Sequence, residues 1–92
     1  MSVVRYFGTA KGRVQGVGFR FFTEAQAEDL GITGWVRNMS DGSVTMELQG
    51  EQEAVDEMAK RIEAGNHFIN VKSFTLEERE VLPEEKGFVI RH

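Results

Sequence analysis

Hydrophobic and polar residues alternate from 3 to 14. Val4, Tyr6, Ala10 and Val14 fall on one side and Arg5, Thr9, Lys11 and Arg13 on the other, which predicts a strand with one buried face. From Phe19 to Leu30 the spacing becomes helical, with Phe19, Phe22, Ala25 and Leu30 on one broad face, Glu24 and Glu28 opposite, and Gly31 as the C-terminal cap. Ile32 to Asn38 and Ser43 to Gln49 read as two further strands. In the second, Val44, Met46 and Leu48 alternate with Ser43, Thr45, Glu47 and Gln49, and Asp41-Gly42 supplies the hairpin turn between them. Glu51 to Ala64 places Val55, Met58, Ala59 and Ile62 at helical spacing. Acids stand in its first turn, Lys60 and Arg61 near its end, and Gly65 closes it. A strand is expected between Val71 and Glu80, then a loop marked by Pro83, then a short edge strand from Gly87 to Arg91.

The predicted order is β, α, β, β, α, β, without linker, repeat or low-complexity tract. Split β-α-β units of this kind build an α+β, ferredoxin-like sandwich, an antiparallel sheet with both helices on one face. Residues 1–92 are expected to form one domain.

Composition narrows the functional classes. The chain has no cysteine, which excludes disulfides and thiolate zinc sites and fits a reducing cytoplasm. It has no long apolar leader and no run approaching a membrane span, so a soluble, cytoplasmic protein is expected. A net charge of −4 disfavours nonspecific attraction to nucleic acid. The first half is locally positive, however, with Arg5, Lys11, Arg13, Arg20 and Arg37 before Asp41, which suits a small anionic ligand.

Such a ligand has an obvious seat. In Gly12-Arg13-Val14-Gln15-Gly16-Val17-Gly18-Phe19-Arg20 a strand gives way to a helix through clustered glycines. Successive backbone N–H groups of Gln15, Gly16, Val17, Gly18, Phe19 and Arg20 can converge on one point, and the helix adds its unpaired first-turn donors and positive dipole end. Arg20 supplies a planar fork of donors matched to phosphate or carboxylate oxygens.

This stretch resembles the first signature of the acylphosphatase family. Gly34-Trp35-Val36-Arg37-Asn38, followed by Asp41-Gly42-Ser43-Val44, resembles the second. Both occur in the family's order and separation, and the similarity runs across essentially the whole chain. The resemblance implies a small hydrolase that splits the carboxyl-phosphate bond of acylphosphates without metal or organic cofactor. It also implies that the arginine of the first motif, here Arg20, binds phosphate and that the asparagine of the second, here Asn38, positions the attacking water. Milder departures are the aromatic helix start at Phe21 and Phe22 and the ending Val-Ile-Arg-His; both bear on substrate preference.

The chemistry suits these residue types. A carboxylate leaves readily from a mixed anhydride, so the main task is to hold the phosphoryl oxygens while water attacks in line. An amide such as Asn38 can accept from a water and so aim it, although it cannot take the proton, which passes to a substrate oxygen. The expected partners are a small acylphosphate and inorganic phosphate as product and inhibitor. The protein is expected to act as a monomer without binding nucleic acid or membrane.

Other residues have plainer readings. Phe19, Phe21 and Phe22 are taken mainly as core, Trp35 as sheet packing, Met46 and Met58 as core fillers, and Arg13 and Arg37 as solvated. Glu84-Glu85-Lys86 reads as a solvated loop, and His67 and His92 lack the spacing of metal ligands. Two other functions compete with hydrolysis. One is a non-catalytic anion-binding module with the same cradle. The other is an RNA-binding ferredoxin-like domain, disfavoured because the third strand, Ser43 to Gln49, carries no aromatic residue.

Overall fold

Val44, Met46 and Leu48 are fully buried, and the strand they define, β3 (Val44–Glu51), lies at the centre of the sheet. The computed structural model describes residues 2–92. Around β3 stand β1 (Val3–Arg13), α1 (Phe19–Leu30), β2 (Thr33–Asn38), α2 (Gln52–Ala64), β4 (Asn70–Arg79) and β5 (Phe88–Arg91), with the sheet ordered β4-β1-β3-β2-β5. Four strands pair antiparallel, as expected of a ferredoxin-like α+β sandwich, but β5 pairs parallel to β2, so the sheet is mixed. The reason is connectivity. β4 and β5 occupy opposite edges, so residues 80–87 must cross the whole sheet, and the chain starts β5 at the end from which β2 also starts.

One core joins the sheet to both helices: Ala10, Val36, Val44, Met46 and Leu48 meet Phe19, Ala27, Val55, Met58 and Ile62. In α1 the buried stripe is Phe19, Thr23 and Ala27, whereas Ala25 is exposed, contrary to the spacing reading. Thr23 can occupy the core because its hydroxyl donates to the Phe19 carbonyl at 2.9 Å, leaving its methyl to pack. Gly31 ends α1 in a left-handed conformation, as expected of a cap. Gly34 answers a different need: a Cβ there would lie 1.8 Å from the Glu47 carbonyl oxygen, so only glycine lets β2 close against β3.

The largest departure from the alternation pattern is Arg5, which is 2% exposed although it belongs to the polar set of β1. The 80–87 crossing covers it. Arg5 donates from Nη1 and Nη2 to the two carboxylate oxygens of Glu85 at 2.7 and 3.1 Å, from Nε to Glu47, and from Nη1 to Gln49 at 3.1 Å. Thr33 donates to Glu85 at 2.8 Å, and Gln49 exchanges hydrogen bonds with the Leu82 backbone at 2.8 and 2.9 Å. Glu85 is therefore a half-buried clamp and not a solvated loop residue, because a guanidinium covered by the crossing must be paired to be tolerated.

Burial pushes the Glu85 carboxyl up, but the hydrogen bonds from Arg5 and Thr33 and the charges of Arg5 and Arg91 outweigh it and hold the group below its ordinary value. A carboxyl depressed in the folded state stabilises the fold above its unfolded pKa, and that contribution is lost as pH falls through the folded value. Glu85→Gln is expected to lose about 1.5 kcal/mol at pH 7, measured as a urea midpoint, with the gap to the parent protein closing in acid. A gap independent of pH would contradict the assignment.

Candidate active site

Where β1 ends, alternate side chains anchor a loop whose glycines stay outside. Val14 and Phe19 are buried and Val17 packs on the core, while Gly16 and Gly18 are exposed at φ +75 and +78. An added Cβ at either glycine would meet nothing within 4 Å, so these positions need glycine for backbone conformation and not for space. Gly18 is also the N-cap of α1. No side chain caps that helix and no acid stands in its first turn, so its leading N–H donors face the loop without competition.

Gln15 fixes the loop to the neighbouring hairpin. Its Nε2 donates to the carbonyls of Met39 at 2.7 Å and Ser43 at 2.8 Å. The hairpin is braced in turn: the Met39 N–H donates to Ser43 O at 2.9 Å, and Asp41 Oδ1 accepts from the Ser43 N–H at 2.9 Å and its hydroxyl at 2.6 Å. Those bonds hold the Asp41 carboxyl below its ordinary range. The Gln15 amide nitrogen is thus committed to positioning, while its backbone N–H is not used in that tie. Nothing in the spacing of the motif signals that tie.

Asn38 closes β2 opposite Val44 of β3, one residue before the hairpin that Gln15 grips. Its Oδ1 is the one buried side-chain polar atom among the described residues with no hydrogen-bond partner. Buried acceptors are nearly always paired, because an unmade bond costs about 1–3 kcal/mol. Arg20, in the first turn of α1, is half-buried. Its Nη1 donates to the Arg91 carbonyl at 3.4 Å and lies 3.4 Å from His92 Nδ1. These are long contacts, so the guanidinium is placed without being fully engaged. Arg91 also stacks over Trp35, 4.7 Å from the ring centre, and Trp35 meets Phe7 edge-on at 6.3 Å, so Trp35 packs on the open sheet face as expected.

The pairing directions bring these parts together. β1, β2 and β5 finish, and α1 begins, at the same end of the sheet, so the loop, Arg20 and Asn38 converge there. A groove of about 270 Å3 lined by Lys11, Gly12, Asp41, Gly42 and Ser43 lies beside this end but contains none of them. The unpaired donors and acceptor favour the open loop over that groove. No cluster of three or more His, Cys, Asp or Glu side chains suited to a metal ion occurs among the described residues, and none of their helices is long and apolar enough to cross a membrane. Phe21, expected in the core, is 70% exposed. The contacts of Arg91 and His92 with Arg20 bridge 71 and 72 residues of sequence, which spacing cannot reveal.

The Acylphosphatase family model matches residues 6–90. An acylphosphatase of Geobacillus thermodenitrificans (strain NG80-2) is 48% identical over 82 residues, covering 89% of this chain and 87% of its own. One from Clostridium beijerinckii (strain ATCC 51743 / NCIMB 8052) is 40% identical over 90 residues, covering 98% and 100%. The crystal structure of acylphosphatase from Bacillus subtilis superposes with a TM-score of 0.91 at 31% identity, covering 97% of this chain and 99% of that one.

Proposed function

Because the chain belongs to the acylphosphatase family, we propose that it hydrolyses acylphosphates by in-line attack of a water aimed by Asn38 on a phosphoryl group held by Arg20 and the backbone of residues 15–20. The products are a carboxylate and inorganic phosphate. The N–H groups of Gln15, Gly16, Val17, Gly18 and Phe19, together with those of the first turn of α1, take the phosphoryl oxygens. The guanidinium of Arg20 adds two aligned donors that strengthen as charge accumulates on those oxygens. The Asn38 oxygen accepts a hydrogen bond from the water and so directs a lone pair at phosphorus; as the O–P bond forms, one water proton passes to a phosphoryl oxygen and the other stays on the phosphate formed. No general base is required, and the leaving carboxylate departs as the anion.

The observation that carries this reading is the meeting, at one end of the sheet, of the glycine loop, the side-chain-uncapped start of α1 with Arg20 in its first turn, and Asn38 at the close of β2. All the groups invoked come from one chain, which supports action as a monomeric, one-domain enzyme on a small substrate. The open sheet face does not suit RNA stacking, since Phe7 and Trp35 are already covered by Arg79 and Arg91 and β3 contributes Glu47 between them.

Benzoyl phosphate hydrolysis by the purified protein, followed without and with a metal chelator, tests the proposal. Equal rates in both, with competitive inhibition by inorganic phosphate, are expected. Phosphate binding without turnover would instead identify a non-catalytic anion module.

A further inference from the structure

Phe21 is the most exposed large hydrophobic side chain among the described residues, at 70%, and it is the immediate neighbour of Arg20. Isolated exposed apolar residues are ordinary, so exposure alone says nothing; the place does. Phe21 stands in the first turn of α1. It lies on the face of α1 opposite the buried stripe of Phe19, Thr23 and Ala27, and helical side chains lean toward the N-terminus, so its ring stands at the solvent side of the helix mouth. Phe19 and Phe22 of the same turn stack with each other at 6.4 Å and pack on the core, whereas Phe21 is left out of that packing.

In-line displacement sends the leaving oxygen away from the attacking water. Asn38 belongs to the sheet layer, so with the water aimed from there the acyl group would depart away from the sheet, toward the solvent side where α1 begins. We infer that Phe21 is the acyl-side contact of this site and selects acylphosphates with aryl or other large apolar acyl groups over acetyl phosphate. Glu24 lies one turn further on the same side of α1, so an acyl group bearing a second carboxylate is disfavoured there. The inference rests on the phosphoryl seat at Arg20 and adds the substrate class.

The test compares kcat/KM for benzoyl phosphate and acetyl phosphate, and inhibition by inorganic phosphate, in the parent protein and Phe21→Ala. Leu82→Ala serves as a control at an exposed apolar residue near the opposite end of the sheet. Phe21→Ala is expected to lower kcat/KM for benzoyl phosphate about tenfold while acetyl phosphate turnover and phosphate inhibition stay within about twofold. Leu82→Ala should change neither. An unchanged benzoyl-to-acetyl ratio in Phe21→Ala, or an equal loss in Leu82→Ala, overturns the inference while leaving the phosphoryl seat intact. Failure of phosphate to inhibit the parent protein removes the seat, and the inference with it.

Discussion

Replacing Arg20 by lysine is expected to weaken inorganic phosphate binding at least tenfold and to lower kcat/KM about 10²-fold, although the positive charge survives. A guanidinium presents two parallel N–H groups in a rigid plane, and each charge-assisted hydrogen bond contributes about 1.5–3 kcal/mol. An ammonium on a flexible stem can satisfy one phosphoryl oxygen but not two at the fixed spacing of the pair. The native contacts of Arg20 sharpen the expectation. Its Nη1 reaches the Arg91 carbonyl and His92 Nδ1 only at 3.4 Å, so little folding free energy depends on it and Tm should be nearly unchanged. The loss would therefore belong to the ligand and not to the fold. Titration calorimetry with phosphate is the direct measurement, and equal affinity in the two proteins would remove Arg20 from the seat.

The place of Arg20 at the start of α1 was legible because its surroundings are local: a strand end, a glycine turn and a helix start lie within nine residues, and each leaves a mark on composition. The same holds for β3, whose Val44, Met46 and Leu48 alternate without interruption, and for the Asp41-Gly42 turn, where Asp41 bonds the Ser43 N–H at 2.9 Å. Arg5 was illegible for the opposite reason. Its partner Glu85 is 80 residues away and covers it only because the chain crosses from one sheet edge to the other. Alternation reports which face of a strand a residue is on, but not whether a later segment will cover that face.

The buried face of α1 differs from the one its spacing predicts, for a chemical reason. Thr23 counts as polar in a pattern, yet once its hydroxyl returns to the Phe19 carbonyl it packs like valine, and Ala25 is released to solvent. Phe21 is the complementary error. An aromatic residue in a helix reads as core, but α1 has room for one broad apolar face, already filled by Phe19, Phe22, Thr23 and Ala27. A residue displaced from the core in this way is free to serve a ligand, which sequence periodicity does not register. The candidate site was legible only as a list of residue types; the Gln15 tie and the surroundings of Asn38 required the fold.

That unpaired oxygen leads to the last expected result, in which stability and activity move apart. Asn38→Ala should lower kcat by about 10²–10³-fold, the scale of losing one preorganised polar group, with KM little changed, because the phosphoryl oxygens are held by the loop and Arg20. Truncating a buried, hydrogen-bonded amide would ordinarily destabilise a protein. Here Oδ1 bonds no other protein group, so no intramolecular hydrogen bond is lost and stability should be little changed. Steady-state kinetics with benzoyl phosphate and a urea unfolding curve on the same preparation give both numbers. If kcat stayed within about threefold of the parent, the water would be held by something else; if stability fell as steeply as activity, Asn38 would be a packing residue whose loss damages the site indirectly.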